Sequence, residues 1–230
     1  MLSAEHEQSL STFEDEGFCI LHGLVSADRL AMLRGTCQEM IEEVDGQIDA
    51  GGGDLVRPLT HKGQRYFIDF LLSHKPSMRD LVLGETLRAV ASRVLLLQAP
   101  ARGSSSARAA QCFHHKQQFV VKYPQVDMDF KWHQDSGYMW EQPHTPWITC
   151  WIALDDVSEE NGTVHILPHS RSEAAASTGA RQGTLAAVVP HKLATDGSND
   201  LVGYSGDQQG TPVEMQAGGG ESRHSTRHKQ

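Results

Sequence analysis

Apolar residues are arranged in two textures along this 230-residue chain: a three-and-four spacing towards the N-terminus, and short aromatic or β-branched runs beyond the middle. In the segment 3–45, Phe13, Phe18, Ile20 and Leu21 lead into His22-Gly23-Leu24-Val25, after which Ser26 is placed to cap a helix N-terminus. Leu30, Leu33, Cys37, Met40, Ile41 and Val44 then share one helical face. The pattern predicts two helices flanking a short strand, and a further helix over 76–97 with Met78, Leu81, Val82, Leu87, Val90 and Val94 as its apolar stripe. Gly51-Gly52-Gly53 reads as a connector.

The texture changes after a stretch rich in Ala, Arg, Gly and Ser at 99–110, too small and polar to bury much surface, so 99–115 reads as a loop or insertion. Beyond it, 118–123, 149–154 and 163–167 have strand character, and Asn161-Gly162 is a turn signal between the last two. Helices first and antiparallel hairpins afterwards predict an α+β chain without internal repeats. The segment 173–210 is rich in Ala, Gly, Ser and Asp, with a brief apolar patch at 185–189, and predicts no defined element.

Composition adds exclusions. Lys and Arg number 20 against 29 Asp and Glu, a formal charge of −9 that disfavours a protein tracking nucleic-acid phosphates. No run approaches the roughly 18 apolar residues of a membrane span, and Met1-Leu2-Ser3-Ala4-Glu5 lacks the basic-then-apolar order of a signal peptide. Four widely spaced cysteines form no zinc or disulfide pattern. The expectation is a cytoplasmic protein of one domain, 1–218, with no membrane or nucleic-acid partner, followed by a disordered tail at 219–230. The unusual count is 13 histidines.

One of these carries chemistry. In Lys131-Trp132-His133-Gln134-Asp135-Ser136, a strand would turn His133 and Asp135 to the same side, offering an imidazole and a carboxylate to a divalent metal. They make two-thirds of the 2-His-1-carboxylate set that leaves positions open on Fe(II). Two ligand-type residues so spaced also occur by chance as a hydrogen-bonded surface pair. Lys122, on the preceding run, could offer a cation to a carboxylate in the same cavity, or be a solvated strand end.

In order along the chain, Phe13-Glu14-Asp15-Glu16-Gly17-Phe18-Cys19-Ile20, Phe119-Val120-Val121-Lys122-Tyr123-Pro124, Trp132-His133-Gln134-Asp135-Ser136, the stretch from Trp147 into Asp155-Asp156-Val157-Ser158-Glu159-Glu160-Asn161-Gly162-Thr163, and Ile166-Leu167-Pro168 resemble the phytanoyl-CoA dioxygenase family of Fe(II)- and 2-oxoglutarate-dependent oxygenases. The resemblance implies a double-stranded β-helix, a jelly-roll or cupin-like barrel with N-terminal helices packed on one side. It implies Fe(II) and 2-oxoglutarate as cofactors, allows ascorbate beside them, and implies oxygen and a small organic molecule or thioester as partners. Carried over, His133 and Asp135 are iron ligands, while Lys122, Gln134 and Trp151 serve the co-substrate pocket. Asp135, where halogenating relatives have a small residue, favours hydroxylation.

The resemblance also implies a third ligand, a histidine on a late strand after an Ala-Gly-Asp turn, and an arginine beyond it. Here Ala217-Gly218 is followed by a polar tail in which His228 stands near the expected place, and Arg227 precedes it. Two expectations follow from that departure: a truncated or frame-shifted oxygenase, or a non-catalytic small-molecule binding protein on the same scaffold.

Overall fold

Ser3 opens the first helix, α1 (Ala4–Ser11), through a reciprocal cap: its hydroxyl accepts from the His6 amide at 3.1 Å, and His6 Nδ1 accepts from the Ser3 amide at 3.3 Å. The other ring nitrogen of His6 meets the His22 carbonyl at 2.8 Å and ties the helix to the loop after β1 (Phe18–Leu21), which follows the short α2 (Phe13–Glu16). These elements belong to a computed structural model that describes residues 2–56, 66–69, 71–97, 112–123, 130–138, 147–168, 190–196, 200–223 and 227–229. Of the loop or insertion expected at 99–115, residues 99–111 lie outside the described residues, as does the apolar patch at 185–189, while 112–115 form no helix or strand.

The expected long helix is α3 (Ala27–Asp49), which buries Leu30, Leu33, Met40 and Val44 at the anticipated spacing. Ser26 occupies its N-cap position without a side-chain hydrogen bond to the helix. After β2 (Tyr66–Asp69) and α4 (Leu71–His74), the single helix anticipated over 76–97 is instead broken into a 3-10 turn (Pro76–Met78), α5 (Arg79–Val82) and α6 (Glu85–Leu97). The break falls at Gly84, whose Cα lies so close to the Asp80 carbonyl that any Cβ there would overlap it. Apolar spacing is blind to this, since the stripe carries on across the break.

Among the described residues all strand pairs are antiparallel. β3 (Gln118–Val121) pairs with β2, placing Phe119 opposite Ile68. β4 (Thr149–Ile152) does not pair directly with β1; β9 (Gly220–Arg223) lies between them, with Arg223 opposite both Phe18 and Thr149. A second three-stranded sheet has β5 (His165–Leu167) at its centre, flanked by β8 (Thr211–Pro212) and β10 (Arg227–Lys229). A small hairpin joins β6 (Lys192–Leu193) to β7 (Leu201–Val202). Part of the tail expected to be disordered is therefore built into both sheets at 220–223 and 227–229. Its polar sequence hid this because the ladder is made by backbone amides and carbonyls, which every residue but proline supplies in full.

Alternation along β1 shows how the layers stack. Cys19 and Leu21 join Leu10, Phe13, Val90 and Val94 in a core shared with α1 and α6, whereas Phe18 and Ile20 pack with Trp151 against Ala153, Val164, Ile166, Val213 and Met215. The first sheet thus has helices on one face and the second sheet on the other. A third core, built on α3, takes in Leu55, Ile68, Met78 and Phe119. The result is α+β, as expected, with no closed barrel among the described residues.

Between β4 and β5 the Asp155–Thr163 stretch is held by its own side chains. Ser158 and Asn161 cap one another across the 3-10 turn Glu159–Asn161, Asp156 accepts from the Ala217 amide at 2.8 Å, and the Thr163 hydroxyl donates to the Val213 carbonyl. This fastens the loop to the segment that leads into β9.

Candidate metal centre

His133 and Asp135 meet, though not on a strand. His133 occupies a single bridge position, and Asp135 begins a 3-10 turn (Asp135–Tyr138) that swings its carboxylate back until Oδ1 lies 3.5 Å from His133 Nε2. The same-face argument from a two-residue strand period fails here, and a tight turn brings the two together instead.

Both side chains are held in place. His133 is 6% exposed, and its Nδ1 lies 2.7 Å from the Lys131 carbonyl. A carbonyl only accepts, so Nδ1 carries a proton and Nε2 is the ring nitrogen that faces Asp135 and could offer a lone pair to a metal. Phe130 and Tyr138 enclose the imidazole, with the Tyr138 ring perpendicular to it at 5.2 Å. On Asp135, Oδ2 accepts a short 2.5 Å hydrogen bond from the Thr149 hydroxyl, which in turn lies 3.3 Å from Trp147 Nε1, the donor. That leaves Oδ1 as the oxygen facing the imidazole.

The donor set fits a divalent metal. Imidazole nitrogen and carboxylate oxygen at bond lengths of about 2.1 Å and right angles would stand about 3 Å apart, close to the 3.5 Å found. Each side chain's other polar atom is already engaged, an arrangement of the kind that orients metal ligands. Among the described residues no third His, Cys, Asp or Glu completes a cluster with them.

The remaining expected site residues are spread around this pair. Gln134 is buried, and its amide donates to Nε2 of His191 at 2.9 Å. Lys122 is exposed, and its ammonium donates to the Gly162 carbonyl at 2.7 Å. Trp151 is half-buried in the layer between the sheets. His228 lies on β10 in register with Ile166 of β5. Sequence reasoning passed over Thr149, Trp147, Tyr138 and His191. Thr149 begins a strand that was recognised, but nothing local shows which hydroxyl will reach a carboxylate 14 residues earlier.

Solved structures share this arrangement of helices laid on antiparallel sheets. EvdO2 from Micromonospora carbonacea var. aurantiaca superimposes with a TM-score of 0.67 at 18% identity, over 100% of this chain and 85% of that one. It has also been solved in complex with 2-oxoglutarate. EctD from S. alaskensis, crystallised with 2-oxoglutarate and 5-hydroxyectoine, gives a TM-score of 0.59 at 18% identity, over 99% of this chain and 70% of that one.

The chain belongs to the family described as Phytanoyl-CoA dioxygenase (PhyH), whose profile matches residues 13–219. Among curated relatives, phytanoyl-CoA dioxygenase domain-containing protein 1 of Danio rerio is 23% identical over 195 residues, 73% of this chain and 66% of that protein. The Bos taurus protein is 24% identical over 200 residues, 71% of this chain and 64% of that protein. The chain thus aligns with just under two thirds of the length of these relatives. Among the described residues no helix is long and apolar enough to cross a membrane.

Proposed function

We propose that this chain is an Fe(II)- and 2-oxoglutarate-dependent dioxygenase that hydroxylates a small organic molecule or thioester in the cytoplasm, on a double-stranded β-helix completed around the two sheets. The observation that carries the reading is the His133–Asp135 pair, buried on the imidazole side and fixed so that a ring nitrogen and a carboxylate oxygen converge at 3.5 Å. Fe(II), oxygen and 2-oxoglutarate would together supply the oxidising power. His133 Nε2 and Asp135 Oδ1 would hold the metal, and His228 is put forward as the third ligand on the family resemblance alone, since no third donor is gathered with the pair among the described residues. Lys122, Gln134 and Trp151 would serve the co-substrate: a cation for its carboxylate, a buried amide beside the ligands, and an aromatic wall. Phe130 and Tyr138 flank the His133 imidazole.

The test is anaerobic Fe(II) titration followed by oxygen admission with 2-oxoglutarate. The expected result is stoichiometric iron binding and succinate release coupled to oxygen uptake, both lost in Asp135→Ala. A chain that binds no Fe(II) and releases no succinate across a panel of small acids and thioesters would sink the proposal.

A second reading, a small-molecule binding protein without oxygenase chemistry, draws on one observation: the Lys122 ammonium is engaged by the Gly162 carbonyl. On that reading Lys122→Met leaves 2-oxoglutarate affinity unchanged; a tenfold loss favours the oxygenase.

A further inference from the structure

We infer that His191 is a positioning residue for the His133–Asp135 pair, acting through the peptide between them; its consequence for metal affinity rests on the metal-centre reading above. His191 stands immediately before β6, and its Nε2 accepts the Gln134 amide hydrogen at 2.9 Å across a separation of 57 residues. That amide belongs to the single residue linking the two ligands. Holding it fixes the His133–Gln134 peptide plane, while the Gly137 amide holds the Gln134 carbonyl at 2.8 Å, and so limits how far apart the imidazole and carboxylate can drift. Because Nε2 accepts, the imidazole is the neutral tautomer with its proton on Nδ1.

The ring sits in a slot that the chain leaves open. Gly137, in the turn that carries Asp135, and Gly203, just past β7, both approach the imidazole so closely that a Cβ on either would overlap it; on Gly203 it would lie 2.6 Å from Nε2. Neither glycine has a positive φ, so space rather than backbone conformation demands them. Two glycines from separate segments clear room for one imidazole, and that imidazole grips the ligand segment.

The rest of the β6–β7 hairpin supports the same grip. The Gly203 amide donates to the Trp132 carbonyl at 2.7 Å, the Leu201 amide donates to the Tyr138 hydroxyl at 3.2 Å, and Lys131 pairs with Asp196 at 3.0 Å. Of these contacts, His191 alone reaches the residue between the ligands. The Lys131–Asp196 pair is 41% and 45% exposed, where ion pairs contribute little.

The test compares His191→Phe, which fills the slot but cannot accept a hydrogen bond, with His191→Gln, which can. Two readouts are taken: hydrogen exchange of the Gln134 amide in the metal-free chain, and Mn(II) titration as a redox-stable probe of the centre. In the Phe variant Gln134 exchange should accelerate and Mn(II) affinity fall about 10–100-fold, as when other ligand-orienting partners are removed. The Gln variant should recover both. Asp196→Ala, elsewhere on the hairpin, should leave both unchanged. If the Phe variant melts early, Gly203→Ala displaces the ring independently and should reproduce the faster Gln134 exchange. Unchanged Gln134 exchange in the folded Phe or Gly203→Ala variant overturns the proposal, as does a Gln variant no better than Phe. If the wild-type chain takes up no Mn(II), the metal-centre reading falls, and the role of His191 is decided by amide exchange alone.

Discussion

At the scale of single residues, Asp135 depends on a neighbour that sequence spacing does not reveal. The Thr149 hydroxyl donates to Asp135 Oδ2 while accepting from Trp147, so Thr149→Val removes both contacts at nearly constant volume. Mn(II) affinity should drop by about tenfold or more, and Thr149→Ser should restore it; a calorimetric titration of the three proteins checks this. A second residue away from the centre responds to pH. Burial, with the Asp155 carboxylate as the lesser cause, pushes the Cys37 thiol up to about 11. The folded chain therefore keeps its thiol proton at pH values where the unfolded chain, near an ordinary thiol pKa of about 8.5, has lost it. The stability linked to this proton is intact below that value and is lost as pH rises towards 11. Urea midpoints should fall across this alkaline window, and fall less steeply in Cys37→Ala. That His133 and Asp135 come together was legible in the sequence because their spacing is local, two positions apart. Thr149 and His191 were not, because hydrogen bonds spanning 14 and 57 residues leave no local signature.

Helices and strands were legible where burial follows a period. α3 shows the apolar face read from Leu30, Leu33, Met40 and Val44, and β3, β4 and β5 fall within the runs expected to be strands. Periodicity carried too far at 76–97, where Gly84 breaks one expected helix, and at His133–Asp135, where a 3-10 turn replaces the expected strand. α3 also contains Gly46, where a Cβ would meet nothing within 4 Å and the backbone is helical. Glycine inside a helix is less stable than alanine by roughly 0.5–1 kcal/mol. Gly46→Ala should therefore raise the melting temperature by a few degrees, measured by circular dichroism. Gly218 is the opposite case: its φ of +83° suits glycine, and a Cβ would come within 2.9 Å of the Val25 carbonyl.

For the whole molecule, the decisive and least legible element is β9. Glu221, Ser222 and Arg223 have no strand pattern, yet their backbone is the ladder between β1 and β4. Ending the chain at Gly219 should leave both strands with bare edges, which invite pairing between molecules. The shortened protein is expected to lose its cooperative melt and elute as aggregates in size-exclusion chromatography; a monomer with an unchanged melt would contradict this. The arrangement also sets a timetable. β1 waits for a partner roughly 200 residues further on, so the first sheet closes only after β9 has left the ribosome. Contacts this distant in sequence form slowly and leave edges open meanwhile. A sheet of this build would need chaperone shelter during synthesis more than one made of local hairpins.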